Sequence, residues 1–157
     1  MSEDARDRAV KLQLRLAQLD RIDSCRNDFL TFVRAMWPEF IAGEHHKIIA
    51  EKFQRVADGS LKRLIINMAP RHTKSEFASN FLPAWFIGRN PNMKIIQATH
   101  TTELAVGFGR KVKNLLDRED YTEIFPEAKL SADSKASGRW DTACLLYTSD
   151  AADDVEC

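Results

Sequence analysis

The sequence predicts an α/β protein, a parallel sheet flanked by helices and preceded by a helical N-terminal segment. Three observations predict it. Two short, almost continuous apolar runs, "RLIINM" (63–68) and "KIIQAT" (94–99), read as strands buried on both faces. Each run is followed by a helical pattern, and the order strand, helix, strand, helix is the signature of a parallel α/β sheet. Finally, 157 residues with 44% apolar and 29% charged content suit a globular domain with its own core.

Residues 4–20 are charged and rich in Ala, Leu, Arg and Gln, good helix formers, and predict a first helix. A second spans residues 27–36, where Phe29, Phe32, Val33 and Met36 recur at i, i+3, i+4 and i+7. Pro38 ends it, because proline disfavours a helical residue before it. Gly43 precedes a third helix running to residue 57, with Ile48, Ile49, Phe53 and Val56 on one face, and "DGS" (58–60) turns the chain. The first apolar run follows, then a helix from Lys74 to Gly88, kinked or restarted at Pro83. "PN" (91–92) leads into the second run. Thr101 or Thr102 can then cap a helix whose Leu104, Ala105, Phe108, Val112, Leu115 and Leu116 form one stripe. Beyond "IFPEAKL" (124–130) the pattern weakens.

No apolar run approaches the roughly 20 residues of a membrane span. The charged N-terminus has no secretory h-region, and Cys25, Cys144 and Cys157 show neither metal-ligand nor disulfide spacing. A cytosolic protein is expected. The formal net charge of zero is unevenly distributed. The last fourteen residues, "CLLYTSDAADDVEC", hold Asp150, Asp153, Asp154 and Glu156 with no Lys or Arg, which leaves the body at +4.

The stretch "LIINMAPRHTKSEF" (64–77) carries the chemistry. A phosphate loop works because backbone N–H groups at a helix N-terminus converge on an anion. A lysine meets the β- and γ-phosphates and the next hydroxyl binds Mg²⁺. "MAPRHTKS" keeps Lys74 and Ser75 in that layout but places Met68 and Thr73 where the glycines usually stand. Thr73 is β-branched and resists φ > 0, so a functional loop is expected to avoid that conformation there. From pattern alone, a Pro-Arg turn with a solvated lysine explains the stretch equally well.

The stretch "INMAPRHTKSEFASNFLPAWFIGRNPNMKIIQATHT" resembles the ATPase domain of bacteriophage terminase large subunits, the motors that package double-stranded DNA into proheads. The family's loop is a Pro-Pro-Arg-His-Gly-Lys-Ser run without the first glycine. Pro70, Arg71, His72, Lys74 and Ser75 match it; Ala69 and Thr73 depart. Similarity extends upstream through "FIAGEHHKIIAEKFQRVADGSLKRL" and downstream through "ADSKASGRWDT", covering roughly residues 27–142. The resemblance implies a RecA-like P-loop NTPase core over residues 61–143, with residues 1–60 as a helical lid segment. It implies ATP and Mg²⁺ as cofactors, held by residues 70–75: Pro70, Arg71, His72, Thr73, Lys74 and Ser75. Lys74 would contact the β- and γ-phosphates, Ser75 would ligate Mg²⁺, and Arg71 would act on the γ-phosphate much as an arginine finger does. The implied partners are double-stranded DNA, a portal protein, a small terminase subunit and further copies in a ring, in the host cytoplasm. Other readings are a helicase-like P-loop translocase, or a non-enzymatic binding module.

Remaining features carry less. His45-His46 invites a metal hypothesis, but adjacent helical residues point about 100° apart and seldom share an ion. By the resemblance, Trp37, Phe40 or His46 could stack on adenine, although packing explains each. Thr99 and His100 end the second run, where ligands of open parallel sheets bind; capping explains the threonines as well. Arg110, Lys111, Lys113 and Arg118 are candidate DNA-phosphate contacts, or a solvated helix face. "GFG" (107–109) lacks the rest of a dinucleotide fingerprint. No apolar run ending in paired acids follows residue 100, so the Walker B acid and the nuclease domain are expected outside this chain. Residues 144–157, in which "CLLYTSDAAD" resembles a translated sequencing adapter, are expected to be a non-native tail. The chain as it stands is therefore not expected to hydrolyse ATP efficiently.

Overall fold

The computed structural model describes residues 3–130, 139–141 and 146–151. Helices dominate it: α1 (Glu3–Asn27), α2 (Phe29–Met36), α3 (Glu44–Ala57), α4 (Leu82–Arg89), α5 (Thr102–Leu116) and α6 (Glu119–Ile124). The short strand β1 (Ile96–Thr99) pairs in parallel with β3 (Leu146–Ala151), which pairs antiparallel with β2 (Arg139–Asp141).

The expected RecA-like parallel sheet is not what the chain forms. Residues 63–68 run extended but join no strand ladder. Leu64, Ile66 and Met68 pack against the core, while Ile65 stands 88% exposed. Ile96 in β1 is likewise 70% exposed. Both runs are expected to be buried on two faces, yet each buries only one. An apolar run becomes a sheet strand only when others supply its backbone partners, and residues 3–130 contain just β1.

The helices follow their local signals. Asp28 caps α2 by accepting from the Thr31 N–H at 2.6 Å, and Phe29, Phe32, Val33 and Met36 are all buried. Thr101 caps α5, accepting from the Leu104 N–H at 3.3 Å. The α5 stripe is narrower than its sequence suggests: Ala105, Gly109, Val112, Leu115 and Leu116 are buried, while Leu104 is exposed. On α3, Ile49 and Phe53 are buried and Ile48 is turned outward.

The restart expected at Pro83 is present: α4 begins at Leu82 with Pro83 in its first turn. The chain is helical without a break from Lys74 to Arg89, and the six residues Glu76–Phe81 form a π-helical turn just ahead of α4. Within it the Leu82 N–H donates to the Phe77 carbonyl, five residues back. Proline has no N–H for the carbonyl four residues before it. That carbonyl, of Ser79, accepts instead from Gln97 Nε2 at 3.4 Å. The widened turn lets the helix pass its proline and ties it to β1.

One aromatic core joins these elements. Phe29 meets Phe53, Phe77 and Trp85 edge-on, with centroids 5.3, 5.6 and 5.4 Å away. The polar tips are satisfied: Trp85 Nε1 donates to the Cys25 carbonyl at 2.9 Å, and Tyr121 Oη to that of Ala84 at 2.8 Å. Burial raises the Cys25 and Tyr121 pKa values, so both stay protonated. Among the described residues no helix is long and apolar enough to cross a membrane.

Candidate functional site

Residues 70–75 form the exposed connection between the extended segment and the helix beginning at Lys74. Arg71, His72, Lys74 and Ser75 are exposed, and Thr73 is half-buried. Two of these residues adopt left-handed backbone conformations: Arg71 at φ 66° and Thr73 at φ 56°. The expectation that the loop avoids φ > 0 at Thr73 is therefore wrong. Such a conformation at a non-glycine residue costs on the order of 1–3 kcal/mol and persists only when surroundings enforce it.

His46 on α3 supplies the enforcement. The Gly43 N–H donates to His46 Nδ1 at 2.9 Å, so the ring's proton sits on Nε2. Nε2 donates to Thr73 Oγ1 at 2.7 Å, and that hydroxyl donates onward to the His72 carbonyl, also at 2.7 Å. His72 Nδ1 in turn donates to the Pro70 carbonyl at 3.0 Å. The chain of donors runs from the α3 cap through Thr73 and back along the loop. It needs His46 neutral, because a proton on Nδ1 would oppose the Gly43 N–H. Burial lowers the His46 pKa, and the neighbouring His45 and His72 push it the same way.

Three histidines line this side of the loop. The His45 and His46 rings are 3.8 Å apart, and His45 lies 5.8 Å from His72. Among the described residues no group of three or more His, Cys, Asp or Glu could hold a metal ion.

On the other side lies a concavity of about 440 Å³. Lys74 and Ser75 open onto it, Lys62 adds a second cation, and Phe53, Ile66 and Leu82 supply apolar walls. It continues past Ala78 and Ser79 into a trough along residues 94–99 that reaches Thr99. Lys62 carries no signal in the sequence, since nothing in its spacing links it to Lys74, twelve positions on.

Other candidates sit elsewhere. Trp37, Phe40 and His46 belong to a closed aromatic cluster: Trp37 stacks on Phe81 at 6.0 Å, and Phe40 packs edge-on to His46 at 4.8 Å. Their faces are occupied by each other, which favours packing over a base-stacking role. Thr99 Oγ1 donates to the Thr101 carbonyl at 2.7 Å, and His100 is exposed. Of the basic residues, Lys111 pairs with Glu76 at 2.8 Å, and Arg118 binds Asp120 and the Met36 carbonyl. Arg110 is exposed. Glu76, the nearest acid in sequence to the loop, is held by Lys111 and by Asn80 Nδ2.

Comparison with family models, curated proteins and solved structures finds no match to this chain.

Proposed function

We propose that residues 70–75 bind the phosphates of ATP with Mg²⁺, and that the chain is the ATP-binding part of a terminase-type motor packaging double-stranded DNA. The observation that carries the proposal is the loop's backbone. Left-handed conformations at Arg71 and Thr73, directly ahead of a helix start, are how consecutive N–H groups form an anion-binding nest. The first N–H groups of that helix also lack intrahelical partners, leaving donors for an anion.

The residues fit a triphosphate. Lys74 and Arg71 are exposed cations on either side of Thr73, and Ser75 lines the same concavity as Lys74. Lys74 would hold the β- and γ-phosphates, Ser75 would ligate Mg²⁺, and Arg71 would meet the γ-phosphate. Pro70, His72 and Thr73 shape the backbone between them. ATP and Mg²⁺ bring the scissile phosphoanhydride and its charge neutralisation; this chain's groups bind and orient. Glu76 is engaged by Lys111 and Asn80, which leaves it poorly placed to activate water. The chain is proposed to bind ATP much better than it hydrolyses it.

The terminase assignment rests on the ordered resemblance over residues 27–142. With it come the proposed partners of the whole motor: DNA, a portal protein, a small terminase subunit and a ring of copies in the host cytoplasm.

The deciding measurement is isothermal titration of the chain with Mg²⁺–ATP. Wild type should release heat of binding, and Lys74→Ala should lose at least ten-fold in affinity, about 1.4 kcal/mol. Equal affinities in the two proteins would remove the phosphate-loop assignment.

A further inference from the structure

Helix α1 contains an apolar stripe that its own body leaves uncovered. The C-terminal third of α1 packs on the body: Cys25 is fully buried, Ile22 is half-buried, and Gln18 bonds to Glu123 on α6. Ahead of Gln18 the described side chains are exposed, Leu12 and Leu16 by 67% and 55%, with Leu19 at 45%, and Val10 and Leu14 are exposed on another face. Ala9, Leu12, Leu16 and Leu19 follow one another at spacings of three, four and three. At 3.6 residues per turn this stripe lies roughly 130° around the helix from the face carrying Ile22 and Cys25. The body cannot cover it. A helical arm of this length is marginal in water without packing.

We infer that the stripe binds the same stripe of a second copy of this chain, as a short parallel two-stranded coiled coil. The spacing places Ala9 and Leu16 at a positions and Leu12 and Leu19 at d, the seam of such a pair. Flanking charges select both the occupant and its direction. Arg8 and Arg15 fall at g, and Gln13 and Asp20 at e. In a parallel pair, each g side chain meets the e residue of the partner's next heptad. Arg15 then faces the partner's Asp20, and Arg8 faces the partner's Gln13. An antiparallel pair would instead set arginine against arginine. Within one chain Arg15 donates to Gln18 Oε1 at 3.0 Å, a neutral partner that leaves its charge uncompensated. With barely two heptads, the association is weak.

Sedimentation velocity of the whole chain between about 5 and 500 μM reads the association directly, across a range that brackets weak interfaces. Wild type should shift from monomer to dimer. The triple variant Leu12→Gln, Leu16→Gln, Leu19→Gln should stay monomeric throughout. Arg15→Glu should weaken the dimer several-fold, and adding Asp20→Arg should restore it. Because these positions are exposed, the variants should keep the wild-type melting temperature at the lowest concentration. A monomeric wild type overturns the inference, as does a dimer that survives the leucine replacements. Failure of Asp20→Arg to rescue Arg15→Glu overturns the parallel register. A lowered melting temperature of the triple variant at every concentration would show that α1 folds back on its own chain, which also overturns it.

Discussion

At the scale of single residues, the loop is a conflict settled by one hydrogen bond from another helix. Thr73 is a poor residue for φ 56°, yet its hydroxyl is what His46 grips. Two substitutions separate strain from grip. Thr73→Val keeps the β-branch and loses the hydroxyl, so it should destabilise the fold by about 1 kcal/mol. Thr73→Gly loses the same bond but removes the strain, and should be at least about 1 kcal/mol more stable than the valine variant. Urea unfolding of the two proteins checks the order. The same contact makes the fold sensitive to mild acid. The His46 pKa lies below its ordinary 6.5. As pH falls through 6.5, the unfolded chain takes up a proton that folded His46 refuses, so stability drops until the folded pKa is passed. Unfolding midpoints should therefore fall between pH 7.5 and 5.5, and less steeply in His46→Gln. An unchanged slope in that variant would place the titration on another group. Little of this is legible in the sequence: Lys74 and Ser75 follow from the loop pattern and Arg71 only from the family resemblance, but the link between residues 46 and 73 spans 27 positions.

At the scale of elements, spacing and caps were good guides and apolar runs were not. The residues predicted to face inward on α2 do so, because a capped helix with an i, i+3, i+4, i+7 stripe has only one way to bury it. Helix α4 shows what a list of helix formers misses. Gly88 near its end has the Phe125 ring against it, and a Cβ there would come within 2.5 Å of the ring carbons. Alanine favours helix over glycine by nearly 1 kcal/mol. Even so, Gly88→Ala should destabilise the protein by about 1–3 kcal/mol, since the buried ring must move. Thermal melting checks it; a raised melting temperature would mean that Phe125 yields freely. Of the two apolar runs only the second forms a strand, Ile96–Thr99, and the first fails for a different reason. Local sequence specifies extended backbone and a buried side, and residues 63–68 have both, with Leu64, Ile66 and Met68 inward. It does not supply the neighbouring strand.

At the scale of the whole molecule, the body is a helical assembly around Phe29, with the exposed loop 70–75 at one edge and the exposed N-terminal part of α1 at another. Residues from α1 to the segment after α6 share one buried cluster. The loop is therefore held by the same core as the helices before it, with His46 as the link. The sequence by itself determined α2, α3 and α5, the Thr101 cap and the helix-starting position of Lys74, while the end of α1 at Asn27 and the short α6 were not legible in it. The legible features depend on neighbours within about four positions along the chain. The tertiary structure alone decided that the apolar runs do not build a parallel sheet, that Thr73 is held left-handed, and that Lys62 joins Lys74. Those outcomes depend on which distant groups meet, and a hydrogen bond or a packed ring carries no mark of its partner in local spacing.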